Sequence, residues 1–89
     1  MDVNFVNYIT SQALQAMIFL GEAPSPVTGR VEVNLRQAEL LLATLRMLRE
    51  KTKGNLSSEE QAVLDRAIEE LTRRYEAKSA AKEGDNHAQ

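Results

Sequence analysis

The chain has 89 residues, no cysteine and a single histidine, with 13 acidic against 11 basic side chains. That length limits it to one compact domain, since domains seldom fall below about 50 residues. Without cysteine there is no disulfide framework or thiolate metal site, one imidazole excludes a multi-histidine centre, and a pI of 5.4 argues against a protein that coats nucleic acid.

No Lys or Arg precedes Arg30, so the positively charged start of a secretory signal is missing. Residues 3–21 carry no charge, yet Asn4, Asn7, Thr10, Ser11, Gln12 and Gln15 interrupt them. A membrane-spanning helix needs about 20 predominantly apolar residues. The expectation is a cytoplasmic protein without a membrane span.

The first helix is predicted from about Val3 to Leu20. At 100° per residue, Phe5, Val6, Ile9, Ala13, Ala16, Met17 and Leu20 form one apolar stripe. Leu14 and Ile18 lie off that stripe, and Tyr8 and Phe19 lie off its other side. Gly21 suits the position just past a helix end, where the backbone turns left-handed. Pro24 and Pro26 then exclude a helix, Ser25-Pro26-Val27-Thr28-Gly29 has turn chemistry, and Val31-Glu32-Val33 alternates as a short extended piece would.

Asn34 and Gln37 have the spacing of a capping box, which starts a second helix that runs to about Lys53. Leu35, Ala38, Leu41, Leu42, Leu45 and Leu48 make its apolar stripe. Leu40, Ala43, Thr44 and Met47 make a second seam on nearly the opposite side. A helix with two apolar faces has something packed on both. Lys51, Lys53 and Gly54 close it in accord with the helix dipole and the left-handed cap.

Ser57 and Glu60 form another capping box, and the third helix extends from there to about Glu76. Leu64, Ala67, Ile68, Leu71 and Tyr75 make one stripe, with Val63 at its edge, while Asp65-Glu69 and Glu70-Arg74 lie on the charged face. The connector of Gly54 to Leu56 is short enough to force helices two and three into an antiparallel hairpin. Residues 77–89 contain no large apolar side chain, so a polar, disordered tail is expected after a domain of residues 1–75.

The segments Leu20-Gly21-x-x-Pro24-x-Pro26, Gly29 with Asn34-Leu35, Met47-Leu48-x-Glu50-Lys51-Thr52-x-Gly54-Asn55-Leu56-x-x-Glu59-Glu60 and Leu71-x-x-x-Tyr75 stand in a particular order. In these residues the chain resembles a small bacterial family of domains of unknown function, over residues 3–75. The polar tail departs from it. The resemblance implies a bacterial, cytosolic, all-helical small protein and carries no activity, ligand or catalytic residue.

The residues themselves offer few chemical sites. Lys51-Thr52-Lys53-Gly54-Asn55 holds phosphate-loop residues in the wrong order, ahead of a helix start already taken by Ser57 and flanked by Glu59 and Glu60. Paired acids Glu59-Glu60 and Glu69-Glu70 point about 100° apart on a helix and do not chelate by themselves. His87 has no nucleophile or metal-binding neighbour in sequence. Arg46, Arg49, Lys51 and Lys53, with Arg73 and Arg74, read as dipole complements and solvated surface before they read as a nucleic-acid patch.

The expected architecture is therefore all-α: three helices, with an apolar N-terminal helix packed on the hairpin or across a dimer. A core this small supplies about 3–5 kcal/mol, and the extra apolar faces call for a homodimer, the commonest symmetric assembly. Leu14, Ile18, Leu40, Ala43 and Met47 are the expected interaction surface of a non-catalytic, self-associating module that needs no cofactor or metal. One alternative is a small enzyme or ligand-binding protein whose site forms between protomers from Glu, Arg and Tyr side chains. A weak nucleic-acid binder comes third.

Overall fold

A computed structural model describes residues 4–87 of the chain. Three helices account for most of them: α1 (Phe5–Phe19), α2 (Leu35–Lys51) and α3 (Ser58–His87). Each packs against the other two. The core between them follows the three stripes read from the sequence. α1 buries Ile9, Ala16 and, just past its end, Leu20; α2 buries Ala38, Leu42 and Leu45; α3 buries Leu64, Ile68 and Leu71. Phe5, Leu41, Leu48, Leu56, Val63 and Tyr75 close the edges. Phe19 also packs on this core, although the periodicity puts it off the stripe, because it sits where α1 unwinds into the turn.

The helix ends show why these segments stop where they do. Asn4 is extended and caps α1, its side chain accepting from the amide of Asn7 at 2.8 Å. At the other end the amide of Gly21 donates to the Ile18 carbonyl and that of Glu22 to Met17, a Schellman closure with Gly21 at φ +78. Ser57 and Glu60 make both bonds of the predicted capping box, at 2.9 and 3.1 Å.

The second predicted box is only half made. Asn34 accepts from the amide of Gln37 at 3.2 Å, but its own amide donates to the Phe19 carbonyl at 2.7 Å, leaving Gln37 nothing to reach back for. This bond runs beside an antiparallel bridge between Leu20 and Val33, the form that the extended 31–33 segment takes. The two links tie the end of α1 to the start of α2. Gly21 is required here twice over, since a Cβ on it would lie 2.7 Å from Cγ2 of Val33 at a φ that L-residues avoid.

α3 is longer than its apolar stripe. The helix continues through Ala77, Lys78, Ala80, Ala81 and on to His87, where the sequence reading placed a polar tail. Ala, Lys and Glu are strong helix formers and no proline intervenes, so an established helix extends at little cost as far as Glu83; the Gly84-Asp85-Asn86 stretch that follows has no such preference. Val3, near which the first helix was expected to begin, lies outside the described residues, as do Met1, Asp2, Ala88 and Gln89.

Leu45 is fully buried at the centre of the bundle. Leu45→Ala should therefore cost roughly 2–5 kcal/mol in urea denaturation, and a loss below about 1 kcal/mol would show that the helices close over the gap. Gly21→Ala should cost more than about 1 kcal/mol, through strain and the clash with Val33. If Gly21→Ala is neutral, the α1–α2 junction is not the tight contact described above.

Candidate functional site

α2 has two apolar faces, and the body of the protein covers one. Opposite buried Ala38, Leu42 and Leu45, the side chains of Leu40, Ala43 and Met47 are exposed, Leu40 by 61% and Met47 by 47%. Thr44 lies beside them and donates its hydroxyl to the Leu40 carbonyl at 2.8 Å, so it brings no unmet polar group to that face. On α1, Leu14 is 58% exposed and Ile18 is half-buried.

These five residues do not converge on one cavity. Leu14 and Ile18 line a shallow groove of about 470 Å³ with Phe19, Pro26 and Val27. Leu40 and Ala43 line another of about 390 Å³ with Arg36 and Glu39, and Met47 lines neither. The expected surface is thus distributed over an α1 patch and an α2 patch.

Sequence reasoning missed a third and larger concavity. A groove of about 570 Å³ runs between α1 and α3, floored by Ile9, Ala13, Met17 and Leu71, with Ala62 and Arg66 on one wall. The signal lies in the alanines. Ala13 and Ala67 occupy stripe positions on α1 and α3 and both line the groove, where short side chains leave space.

The ionisable groups around this groove are already occupied or solvated. Glu70 accepts from Arg74 at 2.8 Å and also from Arg73, and these two guanidinium hydrogen bonds hold its carboxyl below the ordinary value. At neutral pH it is an ionised acceptor, unsuited to giving up a proton as a general acid. Among the described residues, no three His, Asp or Glu side chains gather where a metal ion would sit.

Several of the arginines are likewise engaged. Arg46 donates to the Thr72 hydroxyl at 2.9 Å, Arg49 lies 3.8 Å from Asp65, and Arg74 reaches both Glu70 and, at 3.5 Å, Glu22. Lys51 ends α2, and Thr52 caps it through a hydroxyl bond to the Leu48 carbonyl at 2.7 Å. The Lys51–Asn55 segment is a helix end joined to the Ser57 cap, with Gly54 at φ +83. Its geometry is that of a connector.

A bundle of three capped helices with exposed apolar faces is a small helical domain. The chain belongs to the family described as a domain of unknown function (DUF1844), whose model matches residues 2–77. That match takes in α1, α2 and the packed part of α3, and it agrees with the resemblance seen in the sequence. Comparison with curated proteins and with solved structures finds no match. No helix among the described residues is long and apolar enough to cross a membrane.

The lowered carboxyl of Glu70 fixes the sign of one pH effect. Its bonds to Arg73 and Arg74 add stability above the carboxyl's unfolded-state value, and that contribution is lost as pH falls through the lower folded-state value. Glu70→Gln should therefore melt slightly below the unaltered protein at pH 7, with the gap closing in acid. A gap that stays constant across the acid range would mean the ion pairs contribute nothing to stability.

Proposed function

We propose that this protein is a non-catalytic module of the bacterial cytoplasm that associates with itself through apolar helical faces, as a homodimer. The observation that carries this reading is the uncovered seam of α2, where Leu40 and Met47 stay exposed opposite a fully formed core. The exposed Leu14 on α1 adds to it. Burying apolar surface is worth roughly 25 cal/mol per Å², a substantial gain for a core that by itself supplies about 3–5 kcal/mol.

An antiparallel hairpin of α2 and α3 is the frame we infer beneath that seam. Arg49 pairs with Asp65, Arg46 with Thr72 and Glu39 with the hydroxyl of Tyr75, so partner numbers rise along α3 as they fall along α2. That arrangement commits the α2 flank to α3 and leaves Leu40, Ala43 and Met47 for another molecule.

Light scattering at micromolar concentration should give a mass near twice the 9.9 kDa of one chain. Leu40→Asp combined with Met47→Asp should reduce it to one chain while far-ultraviolet circular dichroism keeps its helical signal, because neither side chain is in the core. A single-chain mass for the unaltered protein would overturn the reading.

A further inference from the structure

Along the exposed face of α2 the residues are Arg36, Leu40, Ala43, Met47 and Glu50, at intervals of four, three, four and three. That is the spacing of a helix–helix seam, and at 100° per residue it falls within an arc of about 80°, away from Ala38, Leu42 and Leu45. The order has a symmetry of its own. Arg36 and Glu50 stand seven residues to either side of Ala43, with Leu40 and Met47 between.

We propose that the second copy of the chain seats its own α2 on this seam, antiparallel and centred near Ala43, so that Arg36 of each copy faces Glu50 of the other. The proposal rests on the self-association reading and states where the two copies meet. Reversing one α2 against another places a cation opposite an anion at both ends of the seam. A parallel arrangement would set Arg36 on Arg36 and Glu50 on Glu50, which is repulsive. Both side chains are exposed, and neither has an ion-pair partner among the described residues. Other charged side chains of the same helix do have partners: Glu39, Arg46 and Arg49 all reach α3. Of the charges left over on α2, namely Arg36, Glu50 and Lys51, the two that stand seven residues to either side of Ala43 are the pair that reversal matches.

Ala43 at the centre is small enough for the two backbones to approach closely, and Leu40 and Met47 then close over the contact from either side. Thr44 does not oppose this, because its hydroxyl is already bonded within α2. The Leu14 and Ile18 patch carries no comparable marker of orientation, since α1 is uncharged from end to end.

Sedimentation equilibrium at low salt tests the charge pairing. Arg36→Glu and Glu50→Arg, each alone, should weaken the dimer by about tenfold or more, because each turns two attractions into two repulsions. Combining them should return the dissociation constant to within about threefold of the original. Single exchanges without effect, or a double exchange as weak as the singles, overturn the antiparallel seam.

Proximity supplies the second measurement. The chain has no cysteine, so Ala43→Cys introduces the only thiol, and a short bis-maleimide should join two copies through it. Ala62→Cys, on the wall of the α1–α3 groove, should stay unjoined. Joining at position 62 and not at 43 overturns the seam. The two levels of the proposal fail differently: an unaltered protein that stays a single chain removes self-association and seam together. A dimer untouched by either charge exchange removes the seam and leaves self-association standing.

Discussion

A chain of this size can enclose only one dry interior, and each helix has one face to give to it. Everything else in the structure follows from that limit. Among the described residues nine side chains, from Ile9 to Leu71, are buried between three helices, and the other apolar residues lie at the margin of that interior or outside it. α3 meets the limit with a charged outer face. α2 does not, because its composition is apolar on two sides, and the surplus falls on Leu40, Ala43 and Met47. An exposed valine or leucine standing alone is ordinary on any protein surface. A seam at regular helical spacing is a different matter, because it has the geometry of a contact.

The joints between helices keep this arrangement in register. The connection from α1 to α2 is held by backbone: a Schellman closure, a bridge from Leu20 to Val33, and the Asn34 amide on the Phe19 carbonyl. The connection from α2 to α3 is held by caps, Thr52 on one side and the Ser57–Glu60 box on the other. The first joint brings two distant pieces of chain into contact and tolerates no side chain at Gly21. The second only satisfies the ends of its own helices, and a Cβ on Gly54 would meet nothing. The two glycines share a left-handed conformation but differ in how much structure depends on them.

Much of this was legible in the residues. The buried positions of all three helices repeat at 3.6-residue spacing, and Ser57 with Glu60 marks its helix start without ambiguity. The exposed seam of α2 could also be read, because it is a property of one helix alone. Legibility failed where two elements meet. Gln37 has the right spacing to complete a box with Asn34, yet the Asn34 amide is claimed by a carbonyl from another helix, which local spacing does not encode. The α1–α3 groove is likewise a gap between two helices, lined from each side by a small residue, Ala13 and Ala67. The run of α3 to His87 was missed for another reason: the tail was judged by what it could bury, whereas alanine and lysine extend a helix through backbone preference. As for chemistry, Glu70 beside the groove is engaged by Arg73 and Arg74; the Glu70–Arg74 spacing shows in the sequence, whereas the reach of Arg74 to Glu22 is set by the fold.

Arg74 touches both Glu70 on its own helix and Glu22 beyond the end of α1. At this corner a surface ion pair is added to the backbone junction, while the body of α1 is held by apolar contact. Dissolved ions screen the first kind of attraction over about 8 Å at physiological strength and scarcely affect the second. The segment just past α1 is therefore one place where the bundle responds to ionic strength, as is the Arg49–Asp65 pair between α2 and α3. In hydrogen-exchange terms, amides near Glu22 should lose protection with added salt while those around the buried Leu45 and Leu64 keep theirs, a gradient of stability from the charged corner to the interior.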